Sequence, residues 1–318
     1  MPNYGVTMRD ANDYGSPKWP WILLALIVVA AGTFLYLRNR DSKDNEITET
    51  TSESKVEATS DSAIVPQIPA TVAPMSAEAK QKLDEAFRMA DDGALAEARA
   101  ALLDLLEDPS TTEASKRIES RLGEIDVELV TTPHAMPEKV DYAIAAGDQI
   151  RAIARKFGTT RDLICKSNNV RNPDKIQVGD RLRVLNNASF AIHVSKTTNE
   201  LLLTMNGKFF KRYVVSTGKY GRTPVGTFKI TVKEVEPIWY IDGRQIPYGD
   251  KENILGTRWM AIEATGDTMP ASGYGIHGTW EPESLGKQAS AGCVRMRNED
   301  VEELFLIVPE GTPVTIVE

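Results

Sequence analysis

The chain has 318 residues, 42% of them hydrophobic, and a formal net charge of −8. That is room for two or three domains rather than one. The acidity is concentrated in residues 41–136, and the main basic block, residues 137–189, is small, which argues against a nucleic-acid partner; two cysteines do not make a disulfide framework.

In chain order, residues 1–18 are a short tail. Residues 19–37 read WPWILLALIVVAAGTFLYL, an uncharged run close to the roughly 20 residues that span a bilayer. Trp19, Trp21 and Tyr36 sit near its ends, as interfacial aromatics do. The run predicts a single transmembrane helix over 19–37. A cleaved signal peptide with Val29-Ala30-Ala31 as its small-residue site competes, but the apolar run continues through Phe34-Leu35-Tyr36-Leu37 and favours an uncleaved anchor. Arg9 and Lys18 precede the span, while Arg38, Arg40 and Lys43 follow it, so the charge bias leans slightly against exporting the C-terminal part.

Residues 41–74 are rich in Ser, Thr, Glu and Asp, carry Pro66, Pro69 and Pro74, and lack apolar periodicity, so they read as a disordered linker. Residues 76–130 read as a short α-helical segment. Leu83, Phe87 and Ala90 fall at helical spacing before the break at Asp91-Asp92-Gly93. Leu95, Ala98, Leu102 and Leu105-Leu106 mark a second helix ending before Pro109, and Thr111 or Thr112 with Glu113 opens a third, carrying Ile118, Leu122, Ile125 and Leu129. Residues 93–106 resemble one tetratricopeptide-type hairpin; such repeats need stacked neighbours. The segment therefore reads as a spacer, with a docking surface for a partner protein as the alternative.

Within residues 138–186, a strand at 141–145 leads into Gly147-Asp148. Ile150, Ile153, Ala154 and Phe157 mark an amphipathic helix, a second helix runs from Leu163-Ile164 to Asn168-Asn169, and a strand returns over 176–184. This βααβ unit, with Tyr142, Gly147-Asp148, Ile153-Ala154, Phe157, Leu163, Asn168 or Asn169, Ile176 and Gly179-Asp180-Arg181-Leu182, resembles the LysM module. The resemblance implies a groove between the loops at 146–150 and 169–176 that binds glycans containing N-acetylglucosamine. Gly147, Asp148, Asn169 and Asn172 are then the glycan-binding candidates, although neither loop offers an aromatic platform. A LysM fold used only as a spacer is the plainer alternative.

Residues 189–318 alternate in short runs: strands are expected at 190–194, 200–205, 209–216, 226–234 and 312–317, with Asn206-Gly207 as a hairpin turn. One helix is expected over 298–307, with Asn298 as its cap ahead of Val301, Leu304 and Phe305. The domain is mostly β, a sandwich or a barrel. Its centre is HGTWEPESLGKQASAGCVRMR, residues 277–297, which holds one of three histidines and one of two cysteines. The thiolate is the reactive form of cysteine, and a neighbouring imidazole makes it available at neutral pH. Gly292 before Cys293 suits a tight turn whose backbone N–H groups point at a substrate carbonyl. The plainer reading makes Cys293 a small buried hydrophobe and His277 a core histidine. His193, in a predicted strand, and Cys165, beside Leu163 and Ile164, are taken as structural, and both cysteines are expected to be unpaired.

His277-Gly278-Thr279, Gly286 and Ser290-Ala291-Gly292-Cys293-Val294-Arg295-Met296 closely resemble the signature of the L,D-transpeptidases of the YkuD type. Thr223-Pro224-Val225-Gly226-Thr227-Phe228, Leu255-Gly256-Thr257-Arg258-Trp259 and Gly311-Thr312-Pro313-Val314 resemble further segments of that family in its order. The expected fold class is multidomain: a mostly β C-terminal L,D-transpeptidase (YkuD-like) domain over 189–318, a βααβ LysM module, a short α-helical segment and a single N-terminal transmembrane helix.

The resemblance implies that His277 takes the proton of Cys293, giving a thiolate–imidazolium pair, and that the sulfur attacks a peptide carbonyl to leave a thioester. Backbone N–H groups at Gly292 and Cys293 would hold the oxyanion, and the Gly278 carbonyl would orient His277. Ser290 would bond the turn, and Arg295 would sit under it or bind a substrate carboxylate. Trp259, Tyr274, Thr279 and Trp280 would wall the cleft. The implied substrates are tetrapeptide stems of peptidoglycan, cut between the L-centre of a diamino acid and terminal D-alanine. The acyl group would pass to the amine of a second stem or to an acceptor protein, and carbapenems would acylate the thiol. No metal and no cofactor is expected. The implied place is the bacterial cell envelope, anchored through 19–37 with the C-terminal domains outside the cytoplasm. Ala291 stands where many members have His or another basic residue. An L,D-carboxypeptidase, with water as acceptor, and a non-catalytic peptidoglycan-binding tether are the alternatives.

Overall fold

The computed structural model describes residues 75–318. The expected transmembrane helix over 19–37 and linker over 41–74 lie outside the described residues. Among the described residues, no helix is long and apolar enough to cross a membrane.

The helical segment comprises α1 (Ala77–Asp91), α2 (Leu95–Glu107) and α3 (Ser115–Thr131). Ser76 caps α1, its Oγ accepting the Ala79 N–H at 3.1 Å, which satisfies one donor that a helix start leaves open. The third helix begins later than its Thr-Thr-Glu signal suggests. Residues Pro109–Ala114 form a 3₁₀ turn, with the Asp108 carboxylate accepting the Ser110 N–H at 2.9 Å, so α3 opens at Ser115.

In the βααβ unit, β1 (Lys139–Ala143) pairs antiparallel with β2 (Arg181–Leu185) beside α4 (Ile150–Lys156) and α5 (Arg161–Ser167). β2 starts at Arg181 rather than 176 because residues 176–180 turn: Gly179 has φ +93° and Asp180 accepts the Gln177 N–H at 3.0 Å. Asn168 ties α5 to β2 as a strand would, accepting the Arg183 N–H at 2.7 Å and donating to its carbonyl at 3.0 Å. Ile150, Ile153, Ile164 and Val184 form a small core of their own. The unit is joined to the rest where Thr160 donates to the Leu306 carbonyl at 2.6 Å and Asn187 N–H to that of Phe157 at 2.8 Å.

The C-terminal part runs β3 (Phe190–Ser195), β4 (Glu200–Met205), β5 (Lys208–Val214), β6 (Thr217–Gly218), β7 (Gly226–Val235), β8 (Trp239–Ile241) and β9 (Arg244–Ile246). It continues with β10 (Arg258–Ala264), β11 (Gly275–His277), β12 (Gln288–Ser290), β13 (Val294–Arg295), α6 (Asn298–Ile307) and β14 (Pro313–Val317). Eight strands form one mixed sheet in the order β13-β11-β10-β7-β14-β3-β4-β5. The sandwich-or-barrel expectation resolves into this single sheet, curled towards closure. Ser216, just past β5 at one edge, exchanges two backbone bonds of 2.9 and 2.8 Å with Arg295 of β13 at the other. Closing a sheet removes its open edges, and here the seam falls beside Cys293.

The helical segment packs on the sheet rather than standing apart from it. Leu83, Leu102 and Leu122 share one buried core with Leu203 and Phe210 of the sheet. α3 lies against β5: Glu119 takes two 2.8 Å bonds from Arg212, and a Cβ at Gly123 would stand 3.1 Å from the Lys211 side chain. Asn298 does not cap α6 either. Its Oδ1 accepts the Thr257 N–H at 3.3 Å, and a Cβ on Gly256 or Gly278 would collide with it at 2.4 or 2.1 Å. Two glycines thus let α6 press against the chain that follows His277.

Candidate active site

Register places His277 and Cys293. His277 of β11 lies opposite Trp259 of β10 on one side and Arg295 of β13 on the other. Ile276 pairs with Val294, so Cys293 stands one step before the pair, beside Gly275. Alternate residues of a strand share a face. Cys293 and His277 are therefore diagonal neighbours on the same face, within reach of long side chains. Both line a cleft of about 480 Å³, with Trp259, Tyr274, Ser290 and Arg295. Gly275 is needed there, because a Cβ would meet the Trp259 indole at 2.5 Å. That indole lies 5.7 Å from the His277 ring, tilted by 33°.

His277 is 2% exposed, and its Nδ1 stands 2.6 Å from the Gly278 carbonyl. A carbonyl only accepts, so Nδ1 carries the hydrogen and Nε2 keeps its lone pair in the neutral ring. Burial pushes the His277 pKa from 6.5 down to about 4; the Gly278 carbonyl opposes the fall and Arg295 adds to it. Burial raises the Cys293 thiol, against the Gly275 N–H and Arg295. Desolvation thus disfavours the charged form of each group.

The turn before Cys293 is held from three sides. Gly292 has φ +148°, and a Cβ there would meet the Tyr274 ring at 2.7 Å. Ser290 Oγ donates to the Cys293 carbonyl at 2.6 Å and accepts the Gly292 N–H at 3.0 Å. The Gly292 amide, expected as an oxyanion donor, is therefore committed to Ser290, and Cys293 supplies the amide that remains. Thr223, 1% exposed, donates to the Gly292 carbonyl at 2.8 Å and accepts the Gly218 N–H at 2.7 Å. Thr223 had only the Thr-Pro of the 223–228 segment to signal it. Arg295 donates to Glu281 at 3.1 Å, and its Nε is buried without a partner.

The opposite wall is a hairpin that the sequence reading left without an element. Asp242 and Gly243, with φ of +49° and +73°, reverse β8 into β9, and Ile238, Trp239 and Tyr240 line the cleft. Asn253, 1% exposed, pins the hairpin by donating to the Pro237 and Ile246 carbonyls at 3.0 and 2.9 Å. The Asp-Gly pair between short apolar runs was the available signal.

Of the predicted cleft residues, Trp259 and Tyr274 line it and Thr279 and Trp280 do not. Thr279 is buried, its hydroxyl accepting the Glu281 N–H at 3.1 Å; Trp280 projects outward beside Tyr248 at 6.1 Å. Ala291 is exposed on the cleft wall, and His193 is exposed on β3 outside it. Cys165 and Cys293 are both free thiols.

In the βααβ unit a groove of about 400 Å³ lies between the two loops, lined by Asp148, Gln149, Arg151, Pro173 and Ile176 among others. The Asp148 carboxylate is already engaged by Tyr142 OH at 2.7 Å and the Ala145 N–H at 2.8 Å. Gly147 and Asn169 sit at positive φ, Asn172 accepts the Asp174 N–H at 2.9 Å, and none of these three lines the groove. Their recorded contacts lie within the loops.

Residues 189–316 match the family profile of the L,D-transpeptidase catalytic domain, and residues 142–185 that of the LysM domain. YqjB of Bacillus subtilis, by name a candidate L,D-transpeptidase, is 43% identical over 126 residues, 39% of this chain and 69% of that one. YkuD of Bacillus licheniformis, named in the same way, is 31% identical over 181 residues, 55% of this chain and 97% of that one. A solved L,D-transpeptidase from Mycobacterium tuberculosis H37Rv is 20% identical, covering 45% of this chain and 64% of that chain, with a TM-score of 0.34.

Proposed function

For a chain that belongs to the L,D-transpeptidase family and carries a LysM domain ahead of its catalytic domain, we propose a peptidoglycan L,D-transpeptidase that works through Cys293. The observation that carries this reading is His277 with Nδ1 fixed on the Gly278 carbonyl and Nε2 left open, on the same sheet face as Cys293 and in the same cleft.

The donor is a tetrapeptide stem. As its acyl carbon meets Sγ, Nε2 of His277 removes the thiol proton, so charge forms only as the S–C bond does. A neutral resting pair suits a desolvated cleft, where a standing ion pair is costly. The Cys293 N–H stabilises the oxyanion; such a donor is worth about 3–4 kcal/mol. Collapse breaks the C–N bond to D-alanine, His277 returns the proton to the leaving nitrogen, and a thioester remains. An amine of a second stem or of an acceptor protein then loses its proton to Nε2 and attacks. The C–S bond breaks and the sulfur recovers a proton. Arg295, which lines the cleft and is held by Glu281, takes the terminal carboxylate of the donor.

The LysM domain supports peptidoglycan binding, and residues 19–37 would anchor the chain with these domains outside the cytoplasm. The test is mass spectrometry of muropeptides incubated with purified protein, with Cys293→Ala as control. Crosslinked dimers that vanish in the variant support transfer. Trimmed tripeptides alone would make the protein an L,D-carboxypeptidase, and unchanged stems a non-catalytic tether.

A further inference from the structure

The registered row that holds His277 does not stop at Trp259. Glu234 of β7 pairs with Trp259, so Glu234, Trp259, His277 and Arg295 form one line across four strands. All four line the cleft. Strands lie about 4.8 Å apart, which sets the two ends of the row roughly 14 Å apart along the sheet. The cleft is therefore electrically polar along its length, a carboxylate at the β7 end and a guanidinium at the β13 end, with an indole and an imidazole between.

Glu281 takes one Arg295 nitrogen at 3.1 Å and leaves the rest of the guanidinium unpaired. Arg295 keeps its Nε buried and unpartnered. The cations next to Glu234 and Trp259 in sequence turn elsewhere: Lys233 donates to the Phe305 and Val308 carbonyls at 2.5 and 2.6 Å, and Arg258 stands 3.9 Å from Glu302. The reaction as derived above uses Arg295 and gives Glu234 no task.

Resting on the transpeptidase reading, we propose that Glu234 is the receptor for an ammonium group on the acyl donor. The cleft takes an extended, doubly charged peptide, its terminal carboxylate at Arg295 and its free side-chain amine at Glu234. The scissile carbonyl is one residue in from the carboxylate, about 3.5 Å, and so comes to rest beside Cys293. A diamino acid side chain then runs the other way over Trp259, its methylenes on the indole and its ammonium at the carboxylate. The reversed orientation sets like charges together at both ends. Held as an ammonium, the amine also has no lone pair with which to attack its own thioester.

The test compares donor peptides that carry the side-chain amine free or acetylated, with release of D-alanine by the full chain as the readout. The wild type favours the free amine by roughly fivefold in kcat/KM, the size of a partly screened ion pair, and the preference shrinks as salt rises. Glu234→Gln loses the preference through KM with kcat retained, and Glu234→Lys favours the acetylated peptide. Glu236→Gln, an exposed carboxylate outside the cleft lining, keeps the wild-type preference. Equal rates of iodoacetamide labelling at Cys293 show that each variant is folded around its thiol. A wild type indifferent to acetylation, or a Glu234→Gln protein that still discriminates, overturns the proposal. If neither peptide releases D-alanine from a protein whose thiol labels normally, the transpeptidase reading falls and takes this one with it.

Discussion

Among the described residues, Arg99–Asp126–Glu138, where the helices meet β1, and His277–Cys293–Arg295, at the seam of the sheet, are both clusters of largely buried ionisable side chains. In the first, Arg99 contacts both carboxylates, with Glu138 at 3.0 Å, and Asp126 is wholly buried. Burial raises Asp126 to about 7, with Arg99 opposing and Glu138 adding. In the second, burial lowers His277 to about 4. Both clusters depart far from their ordinary values, yet only the second opens onto a cleft and leaves a lone pair and a sulfur facing it. A displaced pKa reports burial; reactivity needs an approach path and an uncommitted atom as well.

Removing the central group of each cluster separates the two roles most sharply. Cys293→Ala abolishes thioester formation while leaving stability nearly unchanged, and His277→Gln lowers kcat by about a thousandfold, both read by release of D-alanine. Arg99→Leu does the reverse. It strands two buried carboxylates and costs about 3–5 kcal/mol of stability in urea unfolding, with kcat of the folded fraction unchanged. A fall in kcat at unchanged stability in that variant would break the distinction. Thr223→Val, which loses the bonds that tie the Gly292 carbonyl to the Gly218 N–H, lowers kcat about tenfold or more with KM retained, and Thr223→Ser restores it.

Smaller effects appear with pH, and the clusters act with opposite sign. The folded pKa of His277 lies below its unfolded value of 6.5. The unfolded state therefore binds a proton first, and His277's contribution to stability is lost as pH falls from 6.5 to about 4. The folded pKa of Asp126 lies above 3.8, so the native state binds first and stability is gained from about pH 7 down to 3.8. Unfolding curves across pH 4–7 should thus flatten in acid for His277→Gln and fall more steeply for Asp126→Asn. The acid limb of kcat/KM should sit near pH 4 rather than 6.5.

What the sequence made legible were features written contiguously. His277, Gly278, Ser290, Gly292, Cys293 and Arg295 lie within 21 consecutive positions, and the LysM pattern lies within one short unit. Long alternating strands such as β3, β4 and β7 showed their period. What it hid depends on partners far along the chain. Periodicity says which residues share a face but not which strand lies alongside, so the pairing of Ser216 with Arg295 and the row from Glu234 to Arg295 were invisible. β8 and β9 are too short for alternation to register. Asn298 stands where a helix cap belongs, yet its oxygen is taken by Thr257, forty-one residues back. The Gly292 amide looked free until the Ser290 rotamer placed a hydroxyl on it.

The central claim is that the sulfur of Cys293 carries the acyl group. Full-length protein mixed with a tetrapeptide stem and no acceptor amine, quenched in acid and weighed intact, tests it directly. The account predicts a mass gain equal to the tripeptide acyl group, mapped to the peptide containing Cys293, sensitive to hydroxylamine and missing in Cys293→Ala. Release of D-alanine by both proteins with no adduct, or an adduct on another residue, would contradict it.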